Sequence, residues 1–398
     1  MNLHEVRQLI RLRPPVAGAE RRVLRRAHDI EGLRFEARRR LPRAVFDYVD
    51  GGAEAEVALE ANRAAYRSCR FHPRVLVDVA APDIMTELFS KRLSMPIGLA
   101  PTGYTRMMHP DGELAVARVA RAFAVPYGLS TVGSTSIEDV ARVDHDQWWL
   151  QLYVLKDRRH SQELVARAEA AGAAAIELTV DTPVPGLRSR DLRNGLTIPP
   201  ELSARTILDI ARHVRYWTRA VMAPPLRFAN VPSELGTAPE ITSLYDPSLT
   251  FDYLAELRRW WSGKLIIKGP VGPEDARRAL DCGVDAIHLS NHGGRQLDRC
   301  VSPLELVRPV RAVVGSEVPI LIDSGIRSGA DVAIALAIGA DVCMVGRPYL
   351  FGLAAAGEQG VAHVLDILSS ELKRTMQLLG VTSLSELRKH GDELVVAG

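Results

Sequence analysis

An α/β fold closed as an eight-stranded parallel barrel is the architecture the sequence predicts, on three observations. Eight short runs rich in Val, Ile and Leu recur from about residue 93, Ala-rich helical stretches separate them, and nearly every run ends in polar residues or glycine. The runs are Pro96 to Pro101, Pro126 to Thr131, Trp149 to Val154, Ala174 to Asp181, Lys264 to Gly269, Ala286 to Asn291, Pro319 to Ser324 and Val342 to Arg347. Continuous apolar character suits strands covered on both faces, and intervening helices imply parallel pairing. An open doubly wound sheet is the alternative, but no G-x-G-x-x-G opens the first strand-to-helix turn. Eight units favour closure into a (β/α)8, or TIM, barrel.

Taken in order, the runs close on Pro101-Thr102-Gly103, Ser130-Thr131, Gln151-Leu152-Tyr153, Thr179-Val180-Asp181, Lys268, His292, Asp323-Ser324-Gly325 with Arg327, and Gly346-Arg347. Barrel active sites lie at the C-terminal ends of strands, so this ring of Lys, His, Asp, Arg, Tyr and Gln marks one functional rim. Residues 1–92 read as an N-terminal helical extension, with helices over Leu33 to Val49 and Ala53 to Ser68 on either side of Asp50-Gly51-Gly52. The barrel itself spans 93–390. Within it, 184–250 is an insertion after the fourth strand, too long for an ordinary loop. Ala204 to Met222 reads there as one helix carrying Arg205, Arg212, Arg215, Tyr216, Trp217 and Arg219, ended by Pro224-Pro225.

Composition bounds the function. With 47% hydrophobic residues the chain buries a large core, and 50 basic against 48 acidic residues give a net charge of +2, which argues against a nucleic-acid partner. Cys69, Cys282, Cys300 and Cys343 lack the short spacings of a zinc site or disulfide framework, so no metal is expected. The start of the chain, with Arg7, Arg11, Arg13 and Pro14-Pro15, has no apolar signal segment, and no run of about 18 apolar residues follows. The expected location is cytoplasmic. Clustered arginines with Tyr216, Trp217 and Phe228 fit equally a solvated basic face and a peripheral contact with an anionic membrane.

The most informative stretch is Ser290 to Asp298, SNHGGRQLD. His292 exchanges a proton near neutral pH, Arg295 carries a permanent fork-shaped cation, and Gly293-Gly294 permit a sharp turn between them. Together they suit an acid substrate that must be held and deprotonated. Gly325 with Arg327 and Gly346 with Arg347 sit where barrels cradle phosphate, after the last two strands. Lys268 closes an apolar strand and places an ammonium at the same rim.

With Phe46-Asp47-Tyr48, Gly51-Gly52-Ala53, Gln151-Leu152-Tyr153 and Thr179-Val180-Asp181-Thr182-Pro183 beside that nonapeptide, the chain resembles the FMN-dependent α-hydroxy acid oxidases and dehydrogenases from about residue 34 to 390. The resemblance implies His292 as base, Asp181 supporting its protonated form, and Tyr153 near the substrate hydroxyl. Arg295, Arg188 and Tyr48 would hold the substrate carboxylate. FMN would be held by Thr102, Gly103, Ser130, Gln151, Thr179 and Lys268 around the ring, and by Asp323, Gly325, Arg327, Gly346 and Arg347 along the ribityl chain and phosphate. Gly103, Leu129 to Val132, Asp181 to Gly186 and Asp246-Pro247-Ser248 bring the pattern closest to bacterial respiratory L-lactate dehydrogenases and mandelate dehydrogenase. The implied reaction is oxidation of an (S)-2-hydroxy acid, foremost L-lactate, to the 2-oxo acid. Electrons would pass to a quinone or another acceptor besides oxygen. The alternatives are an aromatic acid such as mandelate, or an oxygen-using oxidase. A homotetramer is implied on the same ground.

Overall fold

Eight parallel strands close a barrel in chain order: β1 (Ile97–Leu99), β2 (Tyr127–Ser130), β3 (Trp148–Leu152), β4 (Ala175–Thr179), β5 (Lys264–Gly269), β6 (Ala286–Leu289), β7 (Ile320–Ile322) and β8 (Val342–Val345). Each pairs with its successor, and β8 returns to β1 through Cys343–Ile97, Met344–Gly98 and Val345–Leu99. Seven lie within the runs expected from the sequence, and β3 begins one residue earlier, at Trp148. This computed structural model describes residues 18–195, 203–231 and 245–397. Arg7, Arg11, Arg13, Pro14-Pro15, the Arg205 side chain and parts of the insertion (196–202 and 232–244) lie outside the described residues.

The barrel interior is filled from the bottom up. Ala175, Ile266, Ala286, Leu321, Val342, Met344 and Trp149 form one buried cluster with Leu88 and Leu93, which a hairpin (Thr86–Leu88 against Lys91–Leu93) inserts where the strands begin. Large residues face small ones: a Cβ on Gly98 would stand 2.5 Å from the Met344 sulfur, and one on Gly128 3.0 Å from Trp149 Nε1. Apolar side chains thus plug the lower barrel and leave its upper end to polar groups. The outward faces of the strands pack on the surrounding helices in a second, larger core.

The N-terminal segment departs from expectation in its helix boundaries. The stretch expected as one helix is two, Ile30–Arg40 and Arg43–Asp50, because Leu41 precedes Pro42 and takes an extended conformation (φ −90°, ψ 143°). The next helix starts at Val57 and not at Ala53, since Glu54 and Glu56 turn through positive φ. The insertion helix also breaks, into Ala204–Arg212 and Val214–Met222. At the break the His213 N–H bonds Ile210 O, and its ring Nδ1 lies 2.8 Å from Asp209 O. Strand Cys69–Phe71 pairs antiparallel with Val395–Ala397, tying the extension to the end of the barrel. Among the described residues no helix is long and apolar enough to cross a membrane.

Candidate active site

The loop after β6 builds the site. His292, Gly293 and Gly294 take successive positive φ values of 60°, 66° and 71°, a left-handed run that costs about 1–2 kcal/mol at the non-glycine residue and needs outside support. The His292 N–H donates to Ser290 Oγ at 3.0 Å, and the Gly293 N–H to Ser324 Oγ at 3.0 Å. Gly294 O accepts from Ala53 N at 2.8 Å. A Cβ on Gly294 would lie 2.6 Å from Leu59 N, so glycine is required for this approach. Asn291 and Asn62 exchange amide hydrogen bonds of 2.8 and 2.7 Å, and Asp298 accepts from Ala55 and Ala58 N–H at the start of helix Val57–Ser68. The nonapeptide therefore docks the N-terminal segment as well as carrying chemistry.

The His292 ring stands between Asp181 and Tyr153. Its Nδ1 lies 3.1 Å from Asp181 Oδ1, and its Nε2 lies 3.2 Å from the Tyr153 hydroxyl. Burial works against charge on Asp181, but His292 and the ammonium of Lys268 outweigh it and hold the carboxyl below its ordinary range. An ionised Asp181 accepts from Nδ1–H and leaves Nε2 as the basic nitrogen. Burial pushes the Tyr153 phenol well above 10, so its hydroxyl keeps its proton. Its ring stacks on Tyr245 at 4.7 Å.

Tyr48, from helix Arg43–Asp50, lies beside two guanidiniums, Arg295 at 4.9 Å and Arg188 at 5.7 Å from its ring centre. Arg295 Nη1 donates to the carbonyls of Tyr48 and Gly51, and Arg188 Nε to Asp191 at 2.6 Å. Burial and the neighbouring Arg188 both push Arg295 below its ordinary range. Two guanidiniums beside one aromatic ring and lining the same cavity match the fork of a carboxylate.

A cavity of about 850 Å³ runs from these groups across the barrel mouth. On its wall lie Thr102, Gly103, Gln151, Thr179, Lys268, Asp323, Gly325, Arg327, Gly346 and Arg347, with Tyr48, Tyr153, Arg188, His292 and Arg295 at one side. Of the residues expected at the site, Ser130 and Asp181 stand behind the wall. Ser130 donates to Gln151 Oε1 at 3.0 Å, and Gln151 Nε2 donates to Thr179 at 2.8 Å. At the other end the Arg327 Nε is buried without a hydrogen-bond partner among the described residues, and burial together with Arg63 pushes that guanidinium down to about 10. Gly346 opens the helix that begins at Arg347, directing backbone N–H groups at the same end. Gly325 (φ 100°) lies so close to helix Val57–Ser68 that a Cβ would meet Asn62 O at 2.4 Å. Arg347 is committed differently from expectation: it donates to the carbonyls of Val49, Gly293 and Gly51 at 2.6–2.9 Å, clasping the N-terminal segment to the rim. Crowded cations with an orphaned Nε fit a phosphate dianion, and a cavity of this size with Gln151, Thr179, Lys268 and Asp323 among its apolar lining fits a ribityl chain and ring: these residues suit FMN.

Glu177 and His288 were not singled out from the sequence. Both lie wholly inside the barrel, with His288 Nδ1 against Glu177 Oε1 and His288 Nε2 3.4 Å from Asp323 Oδ2. Their signal was present: each stands two residues before a rim residue, Thr179 and Ser290, on the inward face of its strand.

The profile of the FMN-dependent dehydrogenases matches residues 37–392. A Mycobacterium tuberculosis protein described as a putative L-lactate dehydrogenase is 45% identical over 97% of this chain and 94% of its own length. An L-lactate dehydrogenase of Caulobacter vibrioides is 40% identical over 90% of this chain and 95% of its own. Among solved structures, the monotopic membrane protein (S)-mandelate dehydrogenase superposes with a TM-score of 0.89 at 38% identity, covering 94% of this chain and all of that one. With the barrel, the phosphate-ready rim and these matches over nearly the full length, the chain belongs to the FMN-dependent dehydrogenases and is an FMN-dependent hydroxy acid oxidoreductase.

Proposed function

We propose that the chain oxidises L-lactate to the 2-oxo acid, with His292 as base. The observation that carries this reading is His292 held at Nδ1 by Asp181, its Nε2 beside the Tyr153 hydroxyl on a cavity that Arg188 and Arg295 also line. The two guanidiniums bind the substrate carboxylate and set which face of C2 is presented, an orientation worth several kcal/mol. Tyr153 hydrogen-bonds the hydroxyl, and Nε2 takes a proton from the substrate. The ionised Asp181 stabilises the imidazolium that results. Bound FMN would supply the two-electron sink; Thr102, Gly103, Gln151, Thr179 and Lys268 would hold its ring, and Asp323, Gly325, Arg327 and Gly346 its ribityl chain and phosphate, with Arg347 clasping the N-terminal segment beside them. Ser130 serves by fixing Gln151. Replacing His292 with Ala leaves FMN bound and abolishes anaerobic flavin bleaching by L-lactate. Full bleaching in that variant overturns the assignment.

A second substrate class has its own support. Tyr104 and Phe228 pack ring to ring at 4.3 Å, and with Val132, Leu226 and Tyr245 they give the cavity an apolar wall able to receive an aromatic acid. Comparing bleaching rates across L-lactate, longer 2-hydroxy acids and (S)-mandelate separates the two. Reoxidation by a quinone analogue faster than by air supports a quinone acceptor.

The insertion supports peripheral attachment to an anionic membrane. Ile207, Leu208, Val214, Trp217, Val221 and Met222 are exposed there. Arg212 and Arg215, on the same two helices, have no ion pair among the described residues. Arg212, Val214 and Arg215 line a cavity of about 360 Å³ whose other cations include Arg39, Arg40 and Arg106. Apolar anchors interleaved with unpaired cations suit an anionic lipid surface. Sedimentation with phosphatidylglycerol vesicles is expected for the intact chain and is lost on charge reversal of Arg212 and Arg215. Equal sedimentation of both proteins refutes it.

A further inference from the structure

Below the reaction site lies a buried pair, Glu177 and His288, that the proposed chemistry does not use and that connects to Asp323 and Lys268. Trp149 Nε1 donates to Glu177 Oε2 at 3.3 Å, Glu177 Oε1 contacts His288 Nδ1, and His288 Nε2 lies 3.4 Å from Asp323 Oδ2. The same Asp323 oxygen faces Lys268 Nζ at 3.8 Å, while Asp323 Oδ1 accepts from Ser324 Oγ at 2.6 Å. Glu177 and His288 are 0% exposed and Lys268 is 4% exposed. Buried charge survives only when paired, and removing one partner strands the other. Burial opposes charge on His288, yet the Glu177 and Asp323 carboxylates overcome it and hold the imidazole above its ordinary range.

The geometry at Asp323 is the informative part. A lone lysine–carboxylate pair in a dry interior closes to hydrogen-bond length, about 2.7–2.9 Å. Here the separation is 3.8 Å, and the oxygen is shared with His288. We propose that Glu177 and His288 form a positioning pair that holds Asp323 back from Lys268, keeping the Lys268 ammonium directed into the cofactor cavity. Extended this way, the cation stabilises negative charge on FMN when it accepts electrons and raises its reduction potential. Without the pair, Asp323 and Lys268 close on one another and the cation is neutralised below the cavity.

The test is the double variant Glu177→Leu with His288→Leu, which fills the space with side chains like their strand neighbours and strands no charge. With FMN in excess, the midpoint potential by dye equilibration is expected to fall by ~30 mV, a tenfold drop in the two-electron reduction equilibrium. FMN affinity, read from flavin fluorescence, changes less than threefold, because Arg327 and the glycines are untouched. In a Lys268→Met background the same pair of substitutions produces no further fall, since the pair acts through Lys268. An unchanged potential in the double variant overturns the proposal, and so does a fall of equal size in the Lys268→Met background. If the leucine variant does not fold, Glu177→Gln with His288→Gln keeps the shape and removes the charges, and the same outcomes apply.

Discussion

Replacing Asp181 with Asn tests the core of the site, because it keeps the shape and the acceptor for Nδ1–H while removing the charge. The carboxylate, its side chain 5% exposed, lies 3.1 Å from His292 Nδ1, so the charge centres of the pair lie about 4 Å apart once the imidazole is protonated. At an effective dielectric of about 20 the attraction is about 4 kcal/mol. The His292 side chain is 24% exposed to the cavity, and solvent screening reduces this to about 2–3 kcal/mol. At 1.36 kcal/mol per decade, the rate of substrate-driven flavin reduction falls about 30- to 160-fold. Arg188 and Arg295 remain in place, so the substrate concentration for half-maximal rate changes less than about threefold. Anaerobic stopped-flow bleaching across L-lactate concentrations reads both quantities. A maximal rate within threefold of wild type refutes the view that Asp181 stabilises an imidazolium on the reaction path. A loss carried wholly by weaker substrate binding refutes it equally.

Other substitutions separate binding from chemistry. Tyr153→Phe removes one hydrogen bond at Nε2 and is expected to slow bleaching by about 3- to 10-fold, as suits a net worth of about 1 kcal/mol; no change removes Tyr153 from the reaction. Arg295→Lys keeps the charge but loses the fork and the clasp on Tyr48 O and Gly51 O, so half-saturation for L-lactate rises at least tenfold and thermal stability drops, read by titration and melting. Gly325→Ala places a Cβ 2.4 Å from Asn62 O at φ 100°, and weakened FMN binding with a lower melting temperature is expected; wild-type values contradict the packing argument. The Glu177–His288 pair also predicts a pH dependence. The folded His288 value is raised, so its stabilisation is complete below the unfolded value of about 6.5 and disappears as pH rises through the folded one. Urea unfolding should show the double leucine variant losing more stability relative to wild type at pH 6 than at pH 10.

What the sequence made legible followed the repeat. Strand positions and the polar rim were readable because barrel strands are uninterrupted apolar runs and their C-terminal ends face one mouth. His292, Asp181 and Tyr153 stand within hydrogen-bond distance of one another in series, and Arg295 lines the same cavity. Helix boundaries were less legible: Pro42 was visible, but a run such as Leu33 to Val49 reads as one amphipathic helix unless the residue before proline is allowed to end it. Arg347 illustrates a deeper limit. Its position after β8 suggested phosphate, whereas its donors go to carbonyls at the C-terminal end of helix Arg43–Asp50, a partner that only tertiary docking supplies. Glu177 and His288 were passed over because mid-strand polar residues inside apolar runs have no local partner, and theirs lies 111 residues away.

That separation recurs. Asp181 and His292 are also 111 residues apart, so both histidine–carboxylate pairs join the same two segments, four residues higher along each chain. Glu177 and Thr179 follow period two on β4, with Asp181 two residues beyond its end, His288 lies on β6 with His292 in the loop that follows, and Lys268 on the intervening β5 is in register with Thr179 on one side and His288 on the other. One crossing geometry therefore yields two stacked pairs that differ in access. The lower pair is sealed at 0% exposure and exchanges no proton with substrate, whereas the upper histidine opens to the cavity at 24%. A sealed pair can act on the reaction only through its field and through what it holds in place. For that reason the Lys268 background, rather than turnover, is the measurement that distinguishes a working lower pair from a filled barrel.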